Sequence, residues 1–152
     1  MQRMMLFLLL AVLLSACGAR ITTPGGDILS APPVSADWTI QFSYSGGIAG
    51  MNRKLEINSS GQGTVTDERT GKTAKIQLTT GQLSQLRKFA TESVYQPATK
   101  PSACADCFVY TIQIESGSGK PFAAQVDDVN LESSGLASLV EFMRSVTDNA
   151  LK

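Results

Sequence analysis

From residue 38 onward the chain alternates. Trp38, Ile40, Phe42 and Tyr44 are separated by Thr39, Gln41 and Ser43. A period of two carried by aromatic and β-branched residues predicts a strand with one buried face. The pattern stops at Gly46-Gly47. A second strand is expected over 53–58 with Leu55 and Ile57 inward, then a turn at Asn58-Ser59-Ser60-Gly61 and extended chain over 63–69. A further turn at Thr70-Gly71-Lys72 leads to a strand over 74–78, with Ile76 and Leu78 on one face. Tight turns between such runs predict antiparallel pairing. The period then changes. Thr79 and Gln82 have the spacing of a capping box, and Leu83, Leu86, Phe89 and Ala90 form a helical stripe that must end by Ser93, ahead of Pro97 and Pro101. Phe108, Tyr110, Ile112 and Ile114 alternate again, and a Ser/Gly turn over 116–119 leads to Phe122, Ala124 and Val126. Leu136, Leu139, Val140, Met143 and Val146 return to helical spacing, with Ser133 or Ser134 as the expected cap. Strands, helix, strands, helix predicts an α+β fold, an antiparallel sheet with two helices packed on one face.

The first 36 residues have a different character. Residues 18–36 hold Pro24, Gly25, Gly26, Pro32 and Pro33 with few large apolar groups. Such a segment buries too little surface to offset its ordering entropy and reads as a flexible tether. Ahead of it, Arg3 precedes eleven apolar residues over 4–14, closed by Leu14-Ser15-Ala16-Cys17. That is the pattern of a signal peptide, and the apolar run falls well short of the roughly 20 residues that span a bilayer. The closing box resembles a lipoprotein signal cut before the cysteine. The resemblance implies that Cys17 becomes the first mature residue and carries lipid. More than one acyl chain, as in bacterial lipoproteins, makes such a tether durable. Gly18 stands where an aspartate would commonly retain a lipoprotein in the inner membrane, which favours the outer membrane in a Gram-negative host. The expected plan is a signal peptide over 1–16, a tether over 17–36 and one domain over 37–152, working outside the cytoplasm and lipid-anchored to the membrane.

Composition narrows the chemistry. Basic and acidic side chains number 13 each, so no electrostatic footprint for nucleic acid exists. The absence of histidine excludes Ser-His-Asp and Cys-His catalysis and His-ligated zinc. No catalytic residues, cofactor or metal site are expected, and the chain does not read as an enzyme. With Cys17 assigned to lipid, Cys104 and Cys107 remain as an even pair in a compartment where disulfides persist. A redox role would call for a helix N-terminus beside the thiols, but a strand follows them, and a short structural disulfide is the favoured reading. Asp127, Asp128 and Glu132 lack the alternating oxygen ligands and glycine of a calcium loop. Asn58-Ser59-Ser60 matches a glycosylation sequon, which in a bacterial lipoprotein marks only a polar turn.

The run Tyr44-Ser45-Gly46-Gly47-Ile48-Ala49-Gly50 closes the first strand. Leu78-Thr79 and the Leu83/Leu86 helix follow, then Cys104-Ala105-Asp106-Cys107-Phe108-Val109-Tyr110-Thr111-Ile112, Gly119-Lys120 and Val126-Asp127-Asp128. In this order they resemble the emfourin family of protealysin inhibitors, with an early glycine turn, a later aromatic strand and a hairpin ending near Val-Asp-Asp. The likeness runs from Trp38 to about Val146. It implies protein-based inhibition of thermolysin-like zinc metallopeptidases, with no catalysis by the inhibitor. This chain departs from the soluble members by its anchor, its spacer and its cysteine pair.

Within that resemblance Gly46, Gly47, Ile48, Ala49 and Gly50 become the candidate partner-binding residues. Glycines give a backbone free of Cβ bulk that another protein can approach closely. Ile48 is the sizeable side chain on offer, suited to the pocket that takes a bulky apolar residue just after a scissile bond. The expected partner is an extracytoplasmic metallopeptidase, engaged by the glycine turn together with a sheet edge. An ordinary hairpin turn has the same composition. Two other functions therefore stay open: an envelope scaffold lipoprotein without inhibitory activity, and a thiol-disulfide protein using Cys104 and Cys107.

Overall fold

The computed structural model describes residues 29–30, 37–97, 104–117 and 120–152. In chain order the elements are β1 (Leu29–Ser30), β2 (Trp38–Gly46), β3 (Met51–Asn58), β4 (Gln62–Asp67), β5 (Lys72–Gln77), α1 (Thr80–Glu92), β6 (Val94–Tyr95), β7 (Phe108–Ser116), β8 (Phe122–Asp127), a single 3-10 turn (Glu132–Ser134) and α2 (Ala137–Ala150). Six strands form one antiparallel sheet in the order β5-β4-β3-β2-β7-β8. The α+β architecture read from the pattern is the one observed.

Register follows the alternation. Ile40 faces Ile57 and Ile114, and Phe42 faces Leu55 and Ile112. A slip of one residue would turn every one of these side chains to the wrong face. All are buried, together with Leu86 and Ala90 of α1 and Leu139, Val140 and Met143 of α2. The opposite face carries Gln41, Lys54, Glu56, Thr64, Gln113 and Glu115, a polar surface of the kind an antiparallel sheet can leave to water.

The helix ends separate two kinds of cap. At α1, the Thr79 side chain accepts from the Gln82 backbone N–H at 3.2 Å, and the Gln82 side chain accepts from the Thr79 N–H at 2.9 Å. This is the expected capping box, and Ser93 ends the helix. At α2 the expectation fails: neither Ser133 nor Ser134 is the cap. Leu136 occupies that position without a side-chain bond, and Ser133 and Ser134 lie in the preceding 3-10 turn. Ser134 Oγ instead donates to the Leu131 carbonyl at 2.6 Å and accepts from the Leu136 N–H at 3.1 Å. The serine stabilises the approach to the helix rather than its first turn.

One short pairing was not expected. Leu29–Ser30, inside the stretch read as tether, pairs antiparallel with Val94–Tyr95, and Tyr95 Oη donates to the Gln125 carbonyl at 3.0 Å on the edge strand β8. Two-residue strands carry too little alternation to show in a sequence. The signal region, Cys17 and the rest of 17–36 lie outside the described residues. Among the described residues no helix is long and apolar enough to cross a membrane.

Candidate functional site

Gly46 closes β2, Met51 opens β3, and the two residues pair across the ladder. The four residues between them make a turn closed by the Gly50 N–H donating to the Gly47 carbonyl at 2.9 Å. Ile48 stands at its tip with 95% of its surface exposed. Burial of an isoleucine is worth roughly 1.5–3 kcal/mol, so this side chain holds unused apolar surface.

The turn is braced by its neighbours. Arg69 Nη1, from the turn between β4 and β5, donates to the Ala49 carbonyl, and the Glu68 N–H donates to the Asn52 carbonyl at 2.8 Å. On the other side the start of β7 lies hard against it. A Cβ added at Gly46 would sit 2.2 Å from the Cys107 carbonyl oxygen, so no other residue fits there, and the Phe108 ring covers Gly47. Gly50 has open space around it but a φ of +58°, a conformation that glycine adopts without penalty. The glycines therefore answer two different demands, close approach and backbone sign.

Cys104 and Cys107 lie at disulfide-bonding distance, their Cα atoms 5.5 Å apart. Cys107 leads directly into β7, a strand rather than a helix. The pair shapes the loop whose carbonyl abuts Gly46.

Beneath this end of the sheet runs a charged network that the pattern did not single out. Tyr44 Oη donates to Asp148 Oδ1, and Arg53 Nη1 donates to the same oxygen at 2.7 Å. Arg53 Nε lies 3.4 Å from Asp67 Oδ2. Arg144 Nη1 donates to Tyr110 Oη at 3.1 Å, and its guanidinium stands 4.6 Å from the centre of the Phe108 ring. Tyr110 Oη in turn donates to Asp128 Oδ1 at 2.7 Å. Burial, with the hydrogen bond to Asp148, pushes the Tyr44 hydroxyl up to about 12. Burial, with the hydrogen bond to Asp128, does the same for Tyr110, also about 12. The Asp67 carboxyl is held below its usual range, chiefly by the Thr70 backbone N–H. The network ties α2 to the sheet row next to the turn. One signal for it was available: Arg53 shares the inward parity of Leu55 and Ile57.

The structure places the five candidate residues together, with Ile48, Ala49 and Gly50 exposed and Gly46 and Gly47 half-buried beside Cys107 and Phe108. The turn joins β2 and β3, interior strands already paired on both sides, and the edges of the sheet are β5 and β8. Of the carboxylates weighed for calcium, Asp127 accepts from Asn130 and Asp128 from Phe108 and Tyr110. Among the described residues no group of three metal-ligating side chains converges. No family model matches the chain, and comparison with the curated proteins finds no match.

Proposed function

We propose that the protein is a membrane-tethered inhibitor of thermolysin-like metallopeptidases, lipid-anchored through Cys17 outside the cytoplasm, with the turn over 46–50 as its contact element. The observation that carries the reading is an isoleucine with 95% of its surface exposed, on a turn contacted from both sides by Arg69, Cys107 and Phe108. Ile48 fills the pocket that takes a bulky apolar residue just after the scissile bond. The tightness of the turn explains why it would block rather than be cut. Peptidases cleave extended segments, and four residues clamped between the paired Gly46 and Met51 cannot straighten without opening the β2–β3 ladder. A braced turn also loses little conformational freedom on binding, which leaves more of the apolar gain as affinity.

The test is a titration of thermolysin with the whole chain purified in detergent. Equimolar protein is expected to abolish activity, and Ile48→Asp is expected to weaken inhibition by about 100-fold, the range of a central hot spot. Full peptidase activity at a large excess of the unaltered chain would reject the proposal.

A further inference from the structure

We infer that Ile48 is one of two apolar prongs on a single contact face, the second being Val129, and that the face seats in a protein cleft with two apolar recesses. The inference rests on the reading of the turn as a peptidase-binding element and extends it to a second subsite of the same cleft.

Among the described residues, the large apolar side chains left exposed are Ile48, Val94, Val109 and Val129, the last with 62% of its surface open. Three of them cluster at one end of the sheet. Gly46, two residues before Ile48, pairs with Phe108. Phe108 is in turn joined to Asp128, the neighbour of Val129: the Asp128 N–H donates to the Phe108 carbonyl at 3.1 Å, and the Phe108 N–H donates to Asp128 Oδ2 at 2.7 Å. Ile48 and Val129 therefore project beyond the same row of residues. Val109 lies one row back, opposite Ser45 and Asp127. The loop of Cys104 and Cys107 enters between the two turns and delivers Phe108 to both. The turn of Ile48 spans β2 and β3, and Val129 follows β8, so two to three strand spacings separate them, on the order of 10–14 Å.

The local chemistry of the second turn points outward. Asp127 Oδ1 accepts from the Asn130 N–H at 3.0 Å and from Asn130 Nδ2 at 2.9 Å. Asp128 spends both oxygens on Phe108 and Tyr110. The polar residues of the turn thus serve the fold, while an apolar, β-branched residue stands at the surface where turn geometry favours Gly, Asn, Asp or Ser. A single turn is also too small a contact: a stable interface takes about 800 Å² from each partner. Two turns at one end of the sheet, with the loop of Cys104 and Cys107 between them, offer more contact area than either alone.

The probe is thermolysin, titrated with the whole chain in detergent. Val129→Asp is expected to weaken inhibition by about tenfold or more and Val129→Ala by roughly threefold, as for flanking contacts around a hot spot. Thermal midpoints should stay unchanged, because the side chain is exposed. Should Val129→Asp disturb the turn and lower the midpoint, Val129→Ala decides. If both Val129 variants inhibit like the unaltered chain while Ile48→Asp does not, the second prong is wrong and the first reading stands. If the unaltered chain does not inhibit at all, both fall.

Discussion

Two glycine-containing turns of the same sheet differ in what their own side chains supply. The turn between β3 and β4 is ordered largely by its own side chains, with remote donors added: Arg87 Nη2 donates to the Ser59 carbonyl at 2.9 Å and Gln77 Nε2 to the Ser60 carbonyl at 3.1 Å. Asn58 Oδ1 accepts from the Ser60 N–H at 3.1 Å, from Ser60 Oγ at 2.7 Å and from the Gln62 N–H at 3.1 Å, and the Gly61 N–H donates to the Asn58 carbonyl at 2.9 Å. Its polar side chains fold back onto its own backbone, the usual reason such residues occur in turns. The turn between β2 and β3 has Gly, Ile, Ala and Gly at 47–50, with no polar side chain of its own. Its order comes from elsewhere: Arg69 on one side, Cys107 and Phe108 on the other. Both turns take remote donors, but only the one without polar side chains of its own presents an apolar tip, Ile48.

The contrast can be broken most severely at Gly46. Gly46→Ala drives a Cβ into the Cys107 carbonyl at 2.2 Å, backbone against backbone with nothing able to rotate away. Denaturant unfolding should show a loss of about 3 kcal/mol or more, the scale of the most damaging single substitutions.

Alkaline titration probes the network under the braced turn. Tyr44 and Tyr110 have folded-state values raised from 10 to about 12. A raised value means the folded state holds its proton more tightly, so the contribution is intact below pH 10 and is lost as pH climbs through 12. Stability should fall by about 1.4 kcal/mol per pH unit for each tyrosine in that window, measured by urea unfolding at stepped pH. Tyr44→Phe should flatten part of the slope. A slope unchanged in both Tyr44→Phe and Tyr110→Phe would detach these hydroxyls from the fold. Asp67 has the opposite sign: its lowered value means a contribution held at neutral pH and lost on acidification through the folded-state value.

The smallest effects sharpen the comparison by going in different directions. Asn58→Ala should cost about 1 kcal/mol of stability through its lost bonds and leave inhibition untouched. Arg69→Ala, at an exposed side chain, should cost less than about 1 kcal/mol of stability yet weaken inhibition severalfold, because the Ala49 carbonyl loses its anchor. Equal effects of the two variants on inhibition would erase the distinction between the turns.

Much of the fold was legible because it rests on period. The alternation at 38–44 and 108–114 and the capping box at Thr79 each carry a local physical signature. The helix start at Leu136 was not legible, since Ser133 and Ser134 have a cap's composition but are drawn into the 3-10 turn before it. The β1–β6 pairing was not legible either, being two residues long. At the site, the glycine turn and its isoleucine could be read from composition. The brace could not, because Arg69, Cys107 and Phe108 reach it only through the strand order. The same holds for Val129, which joins Ile48 only because β8 lies beside β7.

Amide hydrogen exchange of the whole chain in detergent, with and without thermolysin, compares both turns within one molecule. The account predicts that exchange at Ile48 and Ala49 slows by about tenfold or more on complex formation, while Ser59 and Ser60 exchange as before. Unchanged exchange at Ile48 and Ala49, or equal slowing in the two turns, would contradict it.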